Sequence, residues 1–282
     1  MAKKGRFRLT ITLRKDLLPL IDQTIDGAKI RNRSHAIEYL LAQSLGPKIK
    51  KAVILAGGKG IKMRPLTYEL PKTMIPVKGK PILQYLVEDL KNTGIKDIMI
   101  LTGQLGEKIK EHFGDGSRFG TKIKYIKEKE TAGTGGALRQ LEKAVGIEPF
   151  VLIYGDVLID LNYHDLIEFH TEHSGLVTVA LTSVAEPYEF GAVKLHGEKV
   201  VDFIEKPQKG SGASRLVSSG VYVVEPEVFE HLPKKTSPLS FEKDILPKLI
   251  NKKKVLGYPF EGKWFDISTP EVYDQALKEW KK

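Results

Sequence analysis

From Lys51 onward, short apolar runs rich in β-branched residues alternate with amphipathic stretches of helical period, and few architectures accommodate that rhythm. Residues 52–56, 98–102, 150–154, 176–181 and 221–224 read as strands, with helices at 82–92, 107–113 and 135–145 between several of them. Strands separated by helices predict a mostly parallel sheet covered on both faces, with ligands bound beyond the carboxyl ends of its strands. No internal repeat interrupts the pattern, and the small residues at 210–214 mark a loop. The absence of cysteine excludes a disulfide framework and a thiolate metal site, which favours a cytoplasmic chain. No apolar run approaches the roughly 20 residues needed to span a bilayer, so no membrane partner is expected.

The first 50 residues have a different character. They hold 11 Lys and Arg against 4 Asp and Glu, so +7 of the chain's formal +10 lies there. That asymmetry points to an anionic partner such as nucleic acid, or to a solvated basic arm. Arg6, Arg8, Thr10 and Thr12 alternate with Phe7, Leu9, Ile11 and Leu13, the period of a half-buried strand. A helix over about 16–26 follows, Pro19 falling in its first turn. After a turn at 27–32, Ser34 is the expected N-cap of a second helix carrying Ile37, Leu40, Leu41 and Leu45. A lone strand with one apolar face needs a partner chain. The order strand, helix, helix over residues 5–46 resembles the ribbon-helix-helix family, whose chains pair their strands. The resemblance implies a homodimer or higher even oligomer, with Arg8, Thr10 and Thr12 entering a DNA major groove and Arg33 and Ser34 at a phosphate. A module that only dimerises is the alternative.

The first strand of the larger region runs into G-G-K-G-I-K-M-R-P-L-T-Y-E-L-P-K at 57–72. Glycines after a strand let backbone N–H groups approach an anion, and Lys59, Lys62, Arg64 and Lys72 add positive charge. The string is neither the phosphate loop of ATPases nor the dinucleotide fingerprint. Further along come G-T-G-G-A-L at 133–138, Y-G-D-V at 154–157, E-F-G-A-V at 189–193, E-K-P at 205–207, S-S-G-V-Y at 218–222 and W-F-D-I-S-T-P at 264–270. In this order they closely resemble the sugar-1-phosphate nucleotidylyltransferases, over 51–282. The resemblance implies a Rossmann-like, mostly parallel α/β nucleotidyltransferase domain at 49–282, preceded by a small ribbon-helix-helix domain at 1–48.

It also implies an activity: NTP and sugar 1-phosphate become NDP-sugar and pyrophosphate. Asp156 and Asp266 would hold Mg2+, with Lys62 and Lys72 completing the catalytic set. Gly57, Gly58, Lys59, Gly60, Glu128, Gly133 and Thr134 would meet the nucleotide, and Gly191, Glu205, Lys206 and Ser218 the sugar phosphate. Such a transfer asks mainly for alignment and charge neutralisation.

Some positions depart from the family pattern. Ile61 and Lys62 replace a Thr-Arg pair, and an ammonium lacks the bidentate fork of guanidinium. Ser218 and Ser219 replace Asn-Ala, and Ser268 a glycine. Glu128 stands where several members carry glutamine. Two functional readings follow: an active sugar-nucleotide synthase, or a DNA-binding regulator whose transferase-like domain senses nucleotide or sugar phosphate with little catalysis.

Overall fold

A computed structural model describes residues 10–27, 30–45, 49–128, 132–233 and 238–281. The chain divides into two compact units, Met1–Lys48 and Ile49–Lys282.

In the first unit a 3-10 turn (Lys15–Leu17) runs into α1 (Leu18–Gln23), and α2 spans Arg33–Leu45. Asn32, not Ser34, caps α2: its Oδ1 accepts the His35 N–H at 3.0 Å, and Ser34 lies within the helix. The physical reason is that the cap is the residue immediately before the helix, from which a side-chain oxygen reaches the free N–H groups of the first turn. Ile21 and Ala36 are buried, while Leu20, Leu40 and Leu41 remain exposed. Thr10 to Leu13 form no strand, a correction to the expected strand, whose earlier residues lie outside those described. Among the described residues no neighbouring strand pairs with that segment, and an unpaired strand is not stable alone.

In chain order the second unit contains β1 (Lys51–Ala56), a hairpin of β2 (Pro76–Val77) and β3 (Lys80–Pro81), α3 (Ile82–Thr93), β4 (Asp97–Thr102), α4 (Gly106–Phe113), β5 (Lys122–Lys127) and α5 (Gly133–Val145). It continues with β6 (Phe150–Tyr154), β7 (Val157–Ile159), α6 (Tyr163–Glu172), β8 (Val177–Ser183), β9 (Gly191–His196), β10 (Lys199–Glu205) and β11 (Leu216–Val224). The last elements are α7 (Leu246–Asn251), β12 (Val255–Pro259), β13 (Trp264–Asp266) and α8 (Pro270–Glu279).

Nine strands form one sheet in the order β5-β4-β1-β6-β11-β8-β12-β10-β9. The first four are mutually parallel, as the strand-helix rhythm requires. The other half is mixed: β11 runs antiparallel to β6 and β8, and β10 to β9 and β12. This corrects the mostly parallel expectation. For β9 and β10 the cause is local, because they are joined by a tight turn at Gly197, whose φ of 62° suits a hairpin and leaves no room for a crossover helix.

Alternate strand residues feed two cores. Ile54, Ile98 and Ile100 pack with Leu83, Leu86 and Leu90 of α3 on one face. Val53, Met99 and Leu101 pack with Leu138 and Leu141 of α5 on the other. Each fully buried Leu or Ile contributes roughly 1.5–3 kcal/mol, so this two-sided burial fixes the register of the central strands. A third cluster, including Met63, Leu158, Phe265 and Trp280, ties α8 and the β7–β13 pair to the loop after β1.

Candidate active site

The parallel strands deliver their carboxyl ends to a cavity of about 490 Å³. Gly58, Lys59, Gly60, Lys62, Lys72, Thr134, Asp156, Gly191, Glu205, Lys206, Ser218 and Asp266, all expected from sequence, line it. Gly57, Glu128 and Gly133 do not.

The loop after β1 is shaped by Gly60, whose φ is 60°. A Cβ there would meet Thr67 Cγ2 at 2.8 Å, while Thr67 Oγ1 donates to the Gly60 carbonyl at 2.7 Å. Glycine is therefore required by close packing as well as by the left-handed backbone. At the mouth, Lys62 reaches across to Glu189, Nζ to Oε2 3.2 Å, instead of lying free.

Asp156 follows β6 and Asp266 ends β13. The antiparallel pair β7–β13 sets Asp266 opposite Val157, and the Ile267 N–H donates to the Asp156 carbonyl at 3.0 Å, which brings the two carboxylates together. Lys72 forms an ion pair with Asp156. Burial alone would lower the Lys72 ammonium, yet the charges of Asp156 and Asp266 hold it above its ordinary value. Asp266 is pushed up to about 7, by burial first and by the neighbouring Asp156 charge second. Its buried Oδ1 has no hydrogen-bond partner among the described residues. Two adjacent carboxylates, one with an orphaned oxygen, form a donor set that fits a hard divalent cation.

Elsewhere in the lining, burial raises the Glu205 carboxyl above its usual range. Lys206 has a φ of 51°, uncommon for a side-chain-bearing residue, and its N–H is held by the Phe190 carbonyl at 2.9 Å. Ser218 Oγ lies 2.9 Å from the Tyr222 hydroxyl.

Thr134 reaches the cavity but is pinned from behind: its hydroxyl donates to Glu242 Oε2 at 2.7 Å and accepts the Phe241 N–H at 2.9 Å. Gly133, expected to admit nucleotide, is instead explained by packing. A Cβ there would stand 2.5 Å from the Leu239 carbonyl oxygen, which also accepts the Gly135 N–H at 2.8 Å.

Sequence reasoning missed Glu242. It opens a π-helical turn, Phe241–Ile245, is buried, and accepts from Thr134, from Ser240 Oγ at 2.9 Å and from the Tyr154 hydroxyl. Burial raises its carboxyl. One signal was available: Glu242 precedes Ile245, Leu246 and Leu249 at helical spacing, a carboxylate on an otherwise apolar face.

Of the residues assigned to DNA, Arg8 lies outside the described residues. Thr10, Thr12 and Ser34 are exposed, and the Arg33 guanidinium is engaged by both Asp22 oxygens at 2.7 and 2.8 Å. Among the described residues, no helix is long and apolar enough to cross a membrane.

Residues 51–282 match the family described as Nucleotidyl transferase. The chain is 32% identical over 247 residues to the UTP--glucose-1-phosphate uridylyltransferase of Synechocystis, covering 81% of this chain and 62% of that one. It is 33% identical over 225 residues to the mannose-1-phosphate guanylyltransferase of Mycobacterium tuberculosis, covering 79% and 62%. The chain thus spans about 62% of the length of these curated relatives. A solved UDP-glucose pyrophosphorylase complexed with UDP-glucose matches with a TM-score of 0.73 at 26% identity, over 83% of this chain and 98% of that one. With the loop after β1, the paired carboxylates and the Glu205–Lys206 pair lining one cavity, residues 51–282 belong to the nucleotidyl transferase family.

Proposed function

We propose that residues 49–282 join an NTP to a sugar 1-phosphate, an oxygen of the sugar phosphate attacking the α-phosphorus and pyrophosphate leaving. The observation that carries this reading is that Lys72, Asp156, Asp266, Glu205 and Lys206 all line a single cavity. Lys72 would meet phosphate charge, Lys206 the sugar phosphate, and Glu205 would accept from sugar hydroxyls. Asp156 and Asp266 would hold Mg2+, which would supply charge neutralisation at the phosphates. The names of the relatives support the substrate class. A screen of four nucleoside triphosphates against several sugar 1-phosphates with magnesium, read by pyrophosphate release, tests it. A specific pair above background is expected, and no release from any pair would overturn it.

The regulator reading draws on Lys62, whose ammonium is engaged by Glu189, and on Ile61, exposed at the mouth where the family pattern has a hydroxyl. Tight binding of substrates with no release would favour it. For residues 1–48 we propose a ribbon-helix-helix module that pairs two chains and offers Arg8, Thr10 and Thr12 to DNA. The exposed Leu20, Leu40 and Leu41 support pairing, because apolar side chains on both helices lack cover within one chain.

A further inference from the structure

The loop after β1 and the turn before β9 are both fixed through their backbones. Lys62 lies in a 3-10 turn, Ile61–Met63, whose Met63 is buried in the third cluster. Glu189 belongs to a turn in which the Phe190 N–H donates to the Pro187 carbonyl at 3.0 Å and the Phe190 carbonyl accepts the Lys206 N–H at 2.9 Å. The Phe190 ring stands edge-on to Trp264, with centroids 5.0 Å apart. With both backbones held, what joins them is a contact of side chains, Lys62 Nζ to Glu189 Oε2 at 3.2 Å, the two side chains 59% and 67% exposed. Both residues line the cavity that holds Lys72, Asp156 and Asp266.

An ion pair this exposed contributes little to the stability of a fold. Its position is the informative part, because Glu189 is an anion set among cations. The Lys62 hydrogen bond and charge, with the charges of Lys206 and Lys209 behind them, hold its carboxyl below the usual carboxylate range. The proposed reaction brings phosphate to the same lysines, so a carboxylate already stands where substrate charge has to go. Lysine suits an exchange of partners. Its ammonium is a compact charge with three rotatable donors, here on one carboxylate oxygen, whereas a guanidinium can be clamped by both. A polyphosphate, with several negative charges against one, takes the ammonium from the carboxylate. We infer that Glu189 is a positioning residue of the phosphate site, a stand-in anion that holds the Lys62 ammonium at the cavity until the polyphosphate of an entering nucleotide displaces it.

The inference rests on the transferase reading for the nature of the ligand, and a probe with neither base nor sugar tests it separately. In isothermal titration of the full-length chain with inorganic tripolyphosphate and magnesium, Glu189→Gln should bind about 5-fold tighter than the native chain, the upper worth of an exposed ion pair. The same substitution in a Lys62→Ala chain should change affinity by less than about 2-fold, because the ammonium that the carboxylate withholds is gone. A merely structural contact predicts the opposite sign, weaker binding once the turn and the loop are no longer joined. Unchanged or weaker binding by Glu189→Gln overturns the inference, and so does an equal gain in both backgrounds, which would show general repulsion of anions. Either result leaves the transferase reading to the pyrophosphate-release screen. Silence in that screen with the gain at Glu189 intact would overturn the transferase reading and leave the exchange at Lys62 standing. Failure of every one of these chains to bind tripolyphosphate also overturns the inference.

Discussion

Two parts of the cavity lining, at Asp266 and at Glu242, treat buried carboxylates in opposite ways. Asp266 has an oxygen with no donor among the described residues and a like charge beside it, whereas Glu242 receives three hydroxyl donors. An undersupplied carboxylate gains from an arriving cation. A fully supplied one gains nothing and instead fixes its donors, here Thr134 at the start of α5 and Tyr154 two residues before Asp156. One part is therefore built to change its charge state on binding, the other to hold geometry, and the contrast should appear as a division between rate and stability.

The largest effect is expected for Asp266→Asn, which should lower the rate of pyrophosphate release by about 10³-fold while leaving the melting temperature unchanged or raised, because a buried like-charge contact is removed. Rate and thermal unfolding measured on one preparation check this, and a clear drop in melting temperature would place Asp266 in the geometric part. Lys72→Ala should cost about 10² in rate, as for other groups that stabilise transition-state charge, and should also destabilise, since Asp156 loses its partner. A variant that loses rate alone would show that Lys72 contributes nothing to the resting fold.

Glu242→Ala should behave in the reverse manner. It strands three hydroxyls around a buried space, at a cost of about 2–3 kcal/mol in urea unfolding, with Glu242→Gln recovering part of it. Wild-type stability in the Ala variant would dissolve the contrast. The smallest effect is one of pH. Asp266 has a native pKa of about 7 against an ordinary value near 4, so the native state keeps a proton that the unfolded chain has released. Its contribution is full below the ordinary value and is lost as pH rises through 7. Unfolding midpoints in metal-free buffer should therefore fall from pH 4.5 to 7.5 relative to those of Asp266→Asn, and magnesium should restore them. Parallel profiles of the two proteins would remove the assignment.

Much of the cavity lining was legible because its residues sit just beyond strand ends, where β-rich apolar runs stop before Asp156 and Gly57. Local chemistry also marked Gly60, since a crowded left-handed position admits little else. Three features were harder. The Ser34 and Asn32 positions offer similar capping oxygens, and only the backbone path decides between them. The antiparallel pairing of β9 and β10 depends on one glycine turn, a short signal beside the long strand-helix rhythm. Glu242 acts through Thr134, 108 residues away, and a polar residue whose partners are that distant looks from sequence like part of a surface.

The β7–β13 pair also has a consequence in time. Asp156 and Asp266 are 110 residues apart, so the strand carrying the second emerges from the ribosome well after the first. A nascent chain has its phosphate loop and first carboxylate long before the partner strand exists, and long-range pairing of this kind is slow to form. Half a site therefore waits for its completion, and a chain interrupted before residue 264 would carry a phosphate-binding loop without the paired carboxylates. On the proposed function such a fragment would hold nucleotide without consuming it, which would make prompt folding of β13 and α8 a matter of metabolic hygiene as much as of stability.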